Sequence, residues 1–118
     1  ELHTLTDTDN LNVVAFEKET MDKLGLIPEI APRYRATYFS HIIGGYAAGY
    51  YSYLWAEVLD TDAFEAFKEH GVFDKNTADS FRKNILEKGG TEDPMTLYRG
   101  FRGADPSLEP LLKNRGLK

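Results

Sequence analysis

The sequence predicts an all-α protein of five or six helices. No segment alternates apolar and polar residues between turn signals, as a half-buried strand would. Apolar residues instead recur at helical spacing in segments that capping residues and glycines bound. A chain of 118 residues has the usual size of one domain, so we expect residues 1–118 to form a single helical domain.

Start and stop signals place each helix. The predicted helices cover residues 11–24, 46–59, 62–70, 77–88, 94–102 and a short segment after Ser107. The predicted capping residues are Asp9 or Asn10, Asp60 or Thr61, Asn76, Asp93 before Pro94, and Ser107. The predicted stops are Gly25, Gly71, Gly89 with Gly90, and Gly103. Pro110 falls in the first turn of the last helix, where its missing N–H is harmless.

Composition excludes several classes of protein. The formal net charge of −5 argues against a nucleic-acid surface, which normally needs a basic stripe. No run of 18 or more apolar residues is present, so we expect no membrane span. The absence of cysteine favours a reducing compartment, and we expect a cytoplasmic protein, with the periplasm as the open alternative. Because the chain starts at Glu1 and not at Met, we expect a processed protein or a piece of a longer one.

The segment His41 to Trp55, HIIGGYAAGYYSYLW, is the one whose composition an ordinary helical bundle would not need. Tyr46, Tyr50 and Tyr53 stand at i, i+4 and i+7, so a helix would carry the three phenols on one face. A neutral phenol can donate a hydrogen bond to a developing oxyanion. Aromatic packing in a core or an interface is the alternative interpretation, and the sequence leaves both open.

Other apolar and charged positions carry less specific expectations. A neighbouring stripe on the same helix is expected to be buried: Ala47, Tyr51, Leu54 and Val58. Phe64 and Phe67 are expected to point inward from the next helix. Arg33 and Arg35 flank Tyr34 in a proline-containing connector, where they are either solvated or aimed at a carboxylate.

A metal site and a catalytic nucleophile find no support in the sequence. The three histidines, His3, His41 and His70, are not spaced at i+3 or i+4, and no HExxH motif is present. Cysteine is absent, and no serine stands in a G-x-S-x-G motif. We therefore expect no metal site within this chain.

Longer stretches resemble a known family. FSHIIGGYAAGYYSYLWAEVL is similar to the C-terminal segment of the thimet oligopeptidase and peptidyl-dipeptidase family of zinc metallopeptidases. The similarity continues through DAFEAFKEHGVF and FRKNILEKGGTEDPMTLYRGFRGADPSLEPLL, and it covers at least residues 32–117. The segment PRYRATYFSHI resembles the bacterial peptidyl-dipeptidase (dipeptidyl carboxypeptidase) branch more closely than the oligopeptidases.

The resemblance implies a large, almost wholly helical zincin-type enzyme with a deep channel. In that family an HExxH helix and a downstream glutamate hold one zinc ion, and these parts lie upstream of the segment that this chain matches. We therefore expect a C-terminal fragment that is inactive alone, with zinc bound by the intact enzyme and none bound by this chain. The implied partners are a peptide substrate and the upstream part of the same polypeptide, with no nucleic acid and no membrane.

The resemblance also assigns roles to residues of the tyrosine segment. It implies that Tyr50 and Tyr53 stabilise the tetrahedral oxyanion and that His41 contacts the substrate near the scissile bond. The residues that it places on the bound peptide or on a loop closing over it are Tyr46, Gly44, Gly45 and Gly49. Arg33 and Arg35 are a further hypothesis, as binders of the substrate's C-terminal carboxylate.

Three functions stay open at this point. The first is part of a peptidyl-dipeptidase that releases dipeptides from peptide C-termini, and the second is part of an oligopeptidase of the same family. The third is a non-enzymatic helical interaction module. An exposed tyrosine-rich face could also drive dimerisation of the isolated fragment.

Overall fold

The computed structural model describes residues 1–118, and all of its regular structure is helical, as predicted. The five α-helices are α1 (Val13–Lys23), α2 (Ser52–His70), α3 (Lys75–Phe81), α4 (Pro94–Arg102) and α5 (Glu109–Asn114). Short 3-10 helices lie at Leu2–Thr4, Ala36–Tyr38 and Ser40–Ile42, and a π-helix covers Arg82–Leu86. The chain divides into two compact units, Glu1–Tyr51 and Ser52–Lys118. A single domain over the whole chain stays a prediction.

In the first unit, helix α1 begins later than its predicted cap. The side chain of Asn12 accepts a hydrogen bond from the N–H of Ala15 at 3.1 Å, so Asn12 is the cap and not Asp9 or Asn10. The predicted stop is correct, because Gly25 follows the helix with a φ of +70°, which favours glycine. The connector after this helix carries the aromatic residues described below.

The predicted helix from Tyr46 to Leu59 is wrong over its first six residues. Residues 46–51 lie in turns, and the helix begins only at Ser52. The N–H of Gly49 donates to the carbonyl of Tyr46 at 2.6 Å, and Ala47 has a positive φ of 42°, which a continuous helix does not allow. A segment rich in glycine loses more backbone entropy in a helix, so short-range turns are favoured there.

Helix α2 then runs without the predicted break at Asp60 or Thr61. No glycine or proline interrupts Ser52–His70, and the hydroxyl of Thr61 donates back to the carbonyl of Glu57 at 2.7 Å within the helix. The helix ends where Gly71 was predicted to stop it, at a φ of +113°. Residues 52–70 are therefore one helix and not two.

The predicted buried stripe is correct only at its last residue. Val58 is 5% exposed, but Tyr51 is 73% exposed and Leu54 is 50% exposed. Ala47 and Tyr51 precede the helix and so cannot share a helical face with Val58, whereas Leu54 lies within the helix and is nevertheless exposed. Phe64 and Phe67 were both predicted to point inward, but Phe64 is exposed and only Phe67 is half-buried.

In the second unit, α2 is the central helix, and its small buried residues let the other helices approach. Ala63 and Ala66 are buried on α2, together with Leu97 and Tyr98 of α4 and Leu111 of α5. The rings of Phe67, Phe81 and Phe101 form a second apolar contact, with centroids 5.1 Å apart for Phe81 and Phe101. An ion pair also joins α5 to α2, because the guanidinium of Arg115 at the end of α5 donates to both carboxylate oxygens of Glu57.

The remaining helix ends follow the sequence signals with two exceptions, the caps of α3 and α5. Asp74, not Asn76, caps α3 by accepting the N–H of Thr77 at 2.7 Å. Asp93 caps α4 and Gly103 ends it, both as predicted. The hydroxyl of Ser107 accepts a hydrogen bond from the N–H of Glu109, but Leu108 and not Ser107 occupies the capping position of α5. None of the helices is both long and apolar enough to cross a bilayer.

A buried carboxylate ties α4 to α2. Asp62 is 4% exposed and accepts the hydroxyl of Tyr98 at 2.6 Å, while Nε of Arg102 lies 3.6 Å from the same carboxylate. Burial and this hydrogen bond both raise the pKa of Tyr98, so the phenol keeps its proton and stays a donor. Arg102 also makes a paired contact with Glu69.

We expect Asp62→Ala to lower the free energy of unfolding by about 1–3 kcal/mol, because it removes the 2.6 Å acceptor of the buried Tyr98 hydroxyl and leaves only the carbonyl of Leu59 at 3.4 Å. Urea unfolding of the purified chain measures the change. Asp60→Ala is the matched control, since Asp60 is exposed on the same helix. Equal losses in the two variants would contradict the role assigned to Asp62.

Candidate functional site

Five aromatic side chains of the first unit lie together. We call them the aromatic cluster: Tyr34, Phe39, His41, Tyr46 and Tyr50. The rings of Tyr34 and Phe39 stack at 5.0 Å with an interplanar angle of 19°. Both meet the ring of Tyr50 edge-on, at 6.2 Å for Tyr34 and 4.8 Å for Phe39. Edge-to-face contacts at these distances are favourable, so the rings fix one another's orientation.

His41 contacts every other member of this cluster. Its ring centroid lies 4.9 Å from that of Tyr50 and 5.2 Å from that of Tyr46. The distances to Phe39 and Tyr34 are 5.6 Å and 5.7 Å. His41 and Tyr50 are half-buried, whereas Tyr46 is 44% exposed. An imidazole and two phenols, all capable of donating hydrogen bonds, are therefore close together at the surface of this unit.

The local backbone explains why these side chains meet. Two consecutive 3-10 helices, Ala36–Tyr38 and Ser40–Ile42, turn the chain tightly so that Phe39 and His41 lie on either side of Ser40. The turn from Gly44 to Gly49 then reverses the chain and brings Tyr46 and Tyr50 back to His41. The sequence predicted Tyr46, Tyr50 and Tyr53 on one helical face, whereas the structure brings Tyr46 and Tyr50 to His41 through turns.

Tyr53 belongs to the second unit, as the second residue of α2, and it is 52% exposed. The common helical face that the spacing predicted for Tyr46, Tyr50 and Tyr53 does not exist, because the first two precede the helix. Their relation to Tyr53 in a substrate complex stays a prediction.

The three glycines of the segment differ in whether the surrounding backbone leaves room for a side chain. Gly44 and Gly45 have no positive φ, and a Cβ would meet only Ser40 O at 3.5 Å in the first case and nothing in the second. At Gly49 a Cβ would lie 2.9 Å from the carbonyl oxygen of Tyr46. The structure therefore requires glycine at Gly49, and the movement proposed for the Gly44-Gly45 pair rests on its permissive backbone alone.

The two arginines have different surroundings. Nη1 of Arg35 donates to Glu17 of α1 at 2.8 Å, so its guanidinium already binds a carboxylate of this chain. The exposed Arg33 instead places its guanidinium carbon 5.3 Å from the ring centroid of Tyr34, next to the aromatic cluster.

Glu17 is a residue that the sequence analysis missed. Its side chain is only 12% exposed, and its two oxygens accept from Arg35 and from the backbone N–H of Ala36. These donors, first the N–H of Ala36 and then the Arg35 guanidinium, lower the pKa of Glu17. Nothing in the local sequence marks this contact, because the partners are 18 and 19 residues away along the chain.

A groove of about 450 Å³ lies beside the cluster within the first unit. Its lining includes Tyr34, Phe39 and Tyr50 of the aromatic cluster and Phe16 and Met21 of α1. Its lining is mainly apolar, and a volume of this size is within the range of ligand sites in proteins.

The chain holds no group of three or more His, Cys, Asp or Glu side chains placed to bind a metal ion. Its residues therefore do not fit a zinc centre by themselves. The chemistry that its aromatic cluster offers is hydrogen-bond donation from phenol and imidazole groups, together with ring contacts to a bound molecule.

Comparison with known proteins identifies the class to which this helical chain and its aromatic cluster belong. The sequence matches the model of Peptidase family M3 over residues 1–117, so the chain belongs to this family of zinc metallopeptidases. The family that the tyrosine segment predicted is thereby confirmed.

The individual relatives fall into two groups. The chain is 43% identical to "Dipeptidyl carboxypeptidase" of Escherichia coli over 118 residues, which are 99% of this chain and 17% of that protein. It is 57% identical to "Oligopeptidase A" of the same organism over 81 residues, or 68% of this chain and 12% of that protein. It is 55% identical to "Probable cytosolic oligopeptidase A" of Arabidopsis thaliana over 84 residues, or 67% of this chain and 12% of that protein.

Two facts follow from these comparisons. The chain spans only 12% to 17% of the length of these three relatives. Relatives of both kinds match it strongly, so the comparisons support a part of an M3 metallopeptidase and do not separate the dipeptidyl carboxypeptidase branch from the oligopeptidase branch.

We expect Gly49→Ala to disturb the aromatic cluster, because the added methyl group would press on the carbonyl of Tyr46 in the turn that orients Tyr46 and Tyr50. Near-ultraviolet circular dichroism of the tyrosines should change in this variant. Gly45→Ala is the matched control, since a Cβ there meets nothing within 4 Å. An unchanged tyrosine spectrum in Gly49→Ala would contradict the assigned turn.

Proposed function

We propose that this chain is the substrate-binding and oxyanion-stabilising portion of a zinc metallopeptidase that releases dipeptides from peptide C-termini. The observation that carries the proposal is the convergence of His41, Tyr46 and Tyr50 in one cluster of a chain that belongs to Peptidase family M3. The zinc ligands of that enzyme lie outside this chain, whose own residues do not form a metal site.

The proposed chemistry at the aromatic cluster is hydrogen-bond donation. When water adds to a peptide carbonyl, negative charge develops on the oxygen of the tetrahedral carbon. The hydroxyl of Tyr50 donates to this oxygen, and Tyr53 has the same role by resemblance to the family. Because a phenol is neutral at pH 7, it offers a donor without needing a counter-charge. Donors held in place before the reaction stabilise the transition state more than they stabilise the substrate.

Substrate positioning is the second part of the proposal. His41 and the exposed Tyr46 contact the peptide near the scissile bond, and Gly44, Gly45 and Gly49 form a loop that closes over it. Arg33 receives the terminal carboxylate, because Arg35 is already paired with Glu17. Of the two arginines that the sequence analysis proposed as binders of this carboxylate, only Arg33 keeps that role.

Coverage supports the dipeptidyl carboxypeptidase assignment. The match to that relative extends over 99% of this chain and includes the connector with Arg33, whereas the match to Oligopeptidase A covers 68%. An oligopeptidase is the second candidate, because the identity to Oligopeptidase A, 57%, is higher than the 43% to the dipeptidyl carboxypeptidase. We also propose the cytoplasm as the location, in line with the word "cytosolic" in the name of the Arabidopsis relative.

In the metallopeptidase that carries this chain, we expect Tyr50→Phe and Tyr53→Phe each to lower kcat about 10²- to 10³-fold with little change in KM, because each removes a donor that acts in the transition state. Steady-state kinetics on a short peptide measures the change. Tyr51→Phe is the control, since Tyr51 is 73% exposed and has no assigned role.

An unchanged kcat in both variants would contradict the oxyanion role of Tyr50 and Tyr53 and favour a non-enzymatic helical module. Product analysis in the same assays separates the two enzymatic candidates. Release of dipeptides from a free C-terminus, lost when that terminus is amidated, supports the dipeptidyl carboxypeptidase. Internal cleavage that amidation leaves unchanged supports the oligopeptidase.

A further inference from the structure

Glu17 of α1 joins the helix to the start of the segment that carries the aromatic cluster. One carboxylate oxygen accepts a hydrogen bond from Nη1 of Arg35 at 2.8 Å, and the other accepts one from the backbone N–H of Ala36. Ala36 is the first residue of the 3-10 helix Ala36–Tyr38, and no side chain of its own segment caps that helix. Glu17 of α1 therefore supplies an acceptor for the first N–H of a helix that has no side-chain cap of its own.

The position of this contact matters because aromatic residues lie on both sides of it along the chain. Tyr34 precedes the bound pair and Phe39 follows it, and their rings stack on each other at 5.0 Å. These two rings are the ones that meet Tyr50 edge-on, and both also contact His41. A displacement of the backbone at Ala36 would move the rings of Tyr34 and Phe39, and both rings contact Tyr50 and His41.

The geometry also has the properties of a rigid contact. The Glu17 side chain is 12% exposed, and a carboxylate that binds both a guanidinium and a backbone N–H is held at two points. The hydrogen bond from Ala36 is partly buried, and shielding from water strengthens it, whereas the Arg35 side chain is 55% exposed. Most ion pairs in this chain join more exposed side chains, such as Lys18 and Asp22 on the same helix.

We infer that Glu17 is a positioning residue for catalysis, which fixes the segment from Tyr34 to Phe39 against α1 and thereby sets the places of Tyr50 and His41. The inference rests on the proposed function, since it gives Glu17 its effect through Tyr50. It also assigns Arg35 to this contact and not to the substrate. Glu17 itself touches neither substrate nor metal.

The test is a double-mutant cycle in the metallopeptidase that carries this chain. Glu17→Ala should lower kcat/KM about 10- to 100-fold, the order expected when a reacting group is displaced by about 1 Å. In the Tyr50→Phe background the same change should cost a clearly smaller factor, because Tyr50, one of the two residues that Glu17 positions, has already lost its function. Glu17→Gln keeps an oxygen acceptor for the Ala36 N–H and should recover most of the activity.

The matched control is Glu19→Ala, since Glu19 is exposed on the same helix. It should leave kcat/KM within about twofold of the parent enzyme, as is usual for substitutions at exposed positions. A second readout that does not depend on activity is the ring resonance of ¹³C-labelled His41, identified by its absence in His41→Gln. It should shift in Glu17→Ala and not in Glu19→Ala, because neighbouring aromatic rings determine it.

The outcomes are distinguishable. If Tyr50→Phe lowers kcat and Glu17→Ala behaves like Glu19→Ala, the inference about Glu17 is wrong and the proposed function stands. If Glu17→Ala costs the same factor with and without Tyr50, Glu17 is only a structural residue and the inference is overturned. If Tyr50→Phe leaves kcat unchanged, the proposed function fails, and the His41 resonance alone decides whether Glu17 orients the aromatic cluster.

Discussion

The turn closed by Gly49 is the constraint on which the aromatic cluster depends. The N–H of Gly49 donates to the carbonyl of Tyr46 at 2.6 Å, and a side chain at position 49 would lie against that same carbonyl. This close approach reverses the chain just before α2 and brings two phenols back to His41. A helix through the same residues would have placed the phenols in a row, without returning them to the imidazole.

Carboxylates fix other elements within each of the two units. Glu17 ties the connector to α1 in the first unit, and Asp62 ties α4 to α2 in the second. In both cases one carboxylate binds a donor from another element of the same unit. No large side chain of this chain is completely buried, so specific polar contacts have to define positions that a larger apolar core would otherwise define.

Local signals in the sequence predicted the fold class, the family and many helix ends. Asp93 with Pro94, Gly71 and Gly103 act as predicted because capping depends on a few adjacent residues. The start of α2 could not be predicted from periodicity, since the spacing of the tyrosines suits a helix equally well. The competing turn is decided by backbone entropy at the glycines.

The sequence singles out three members of the aromatic cluster, but not Tyr34, Phe39 or the contact that supports them. His41, Tyr46 and Tyr50 stand out by composition, and the structure brings them together. Glu17 resembles any acidic residue of an amphipathic helix, and its partners become visible only when the chain is folded. Long-range contacts of this kind leave no periodic signal in a single sequence.

The central claim is that the aromatic cluster contacts the reacting carbonyl of a peptide. The most direct measurement is a crystal structure of the metallopeptidase that carries this chain, bound to a phosphinic peptide whose phosphinyl group stands in for the tetrahedral carbon. The account predicts the hydroxyl of Tyr50 within about 2.6–3.2 Å of a phosphinyl oxygen, the range of a catalytic hydrogen bond. A bound peptide whose phosphinyl group lies away from the aromatic cluster would contradict it.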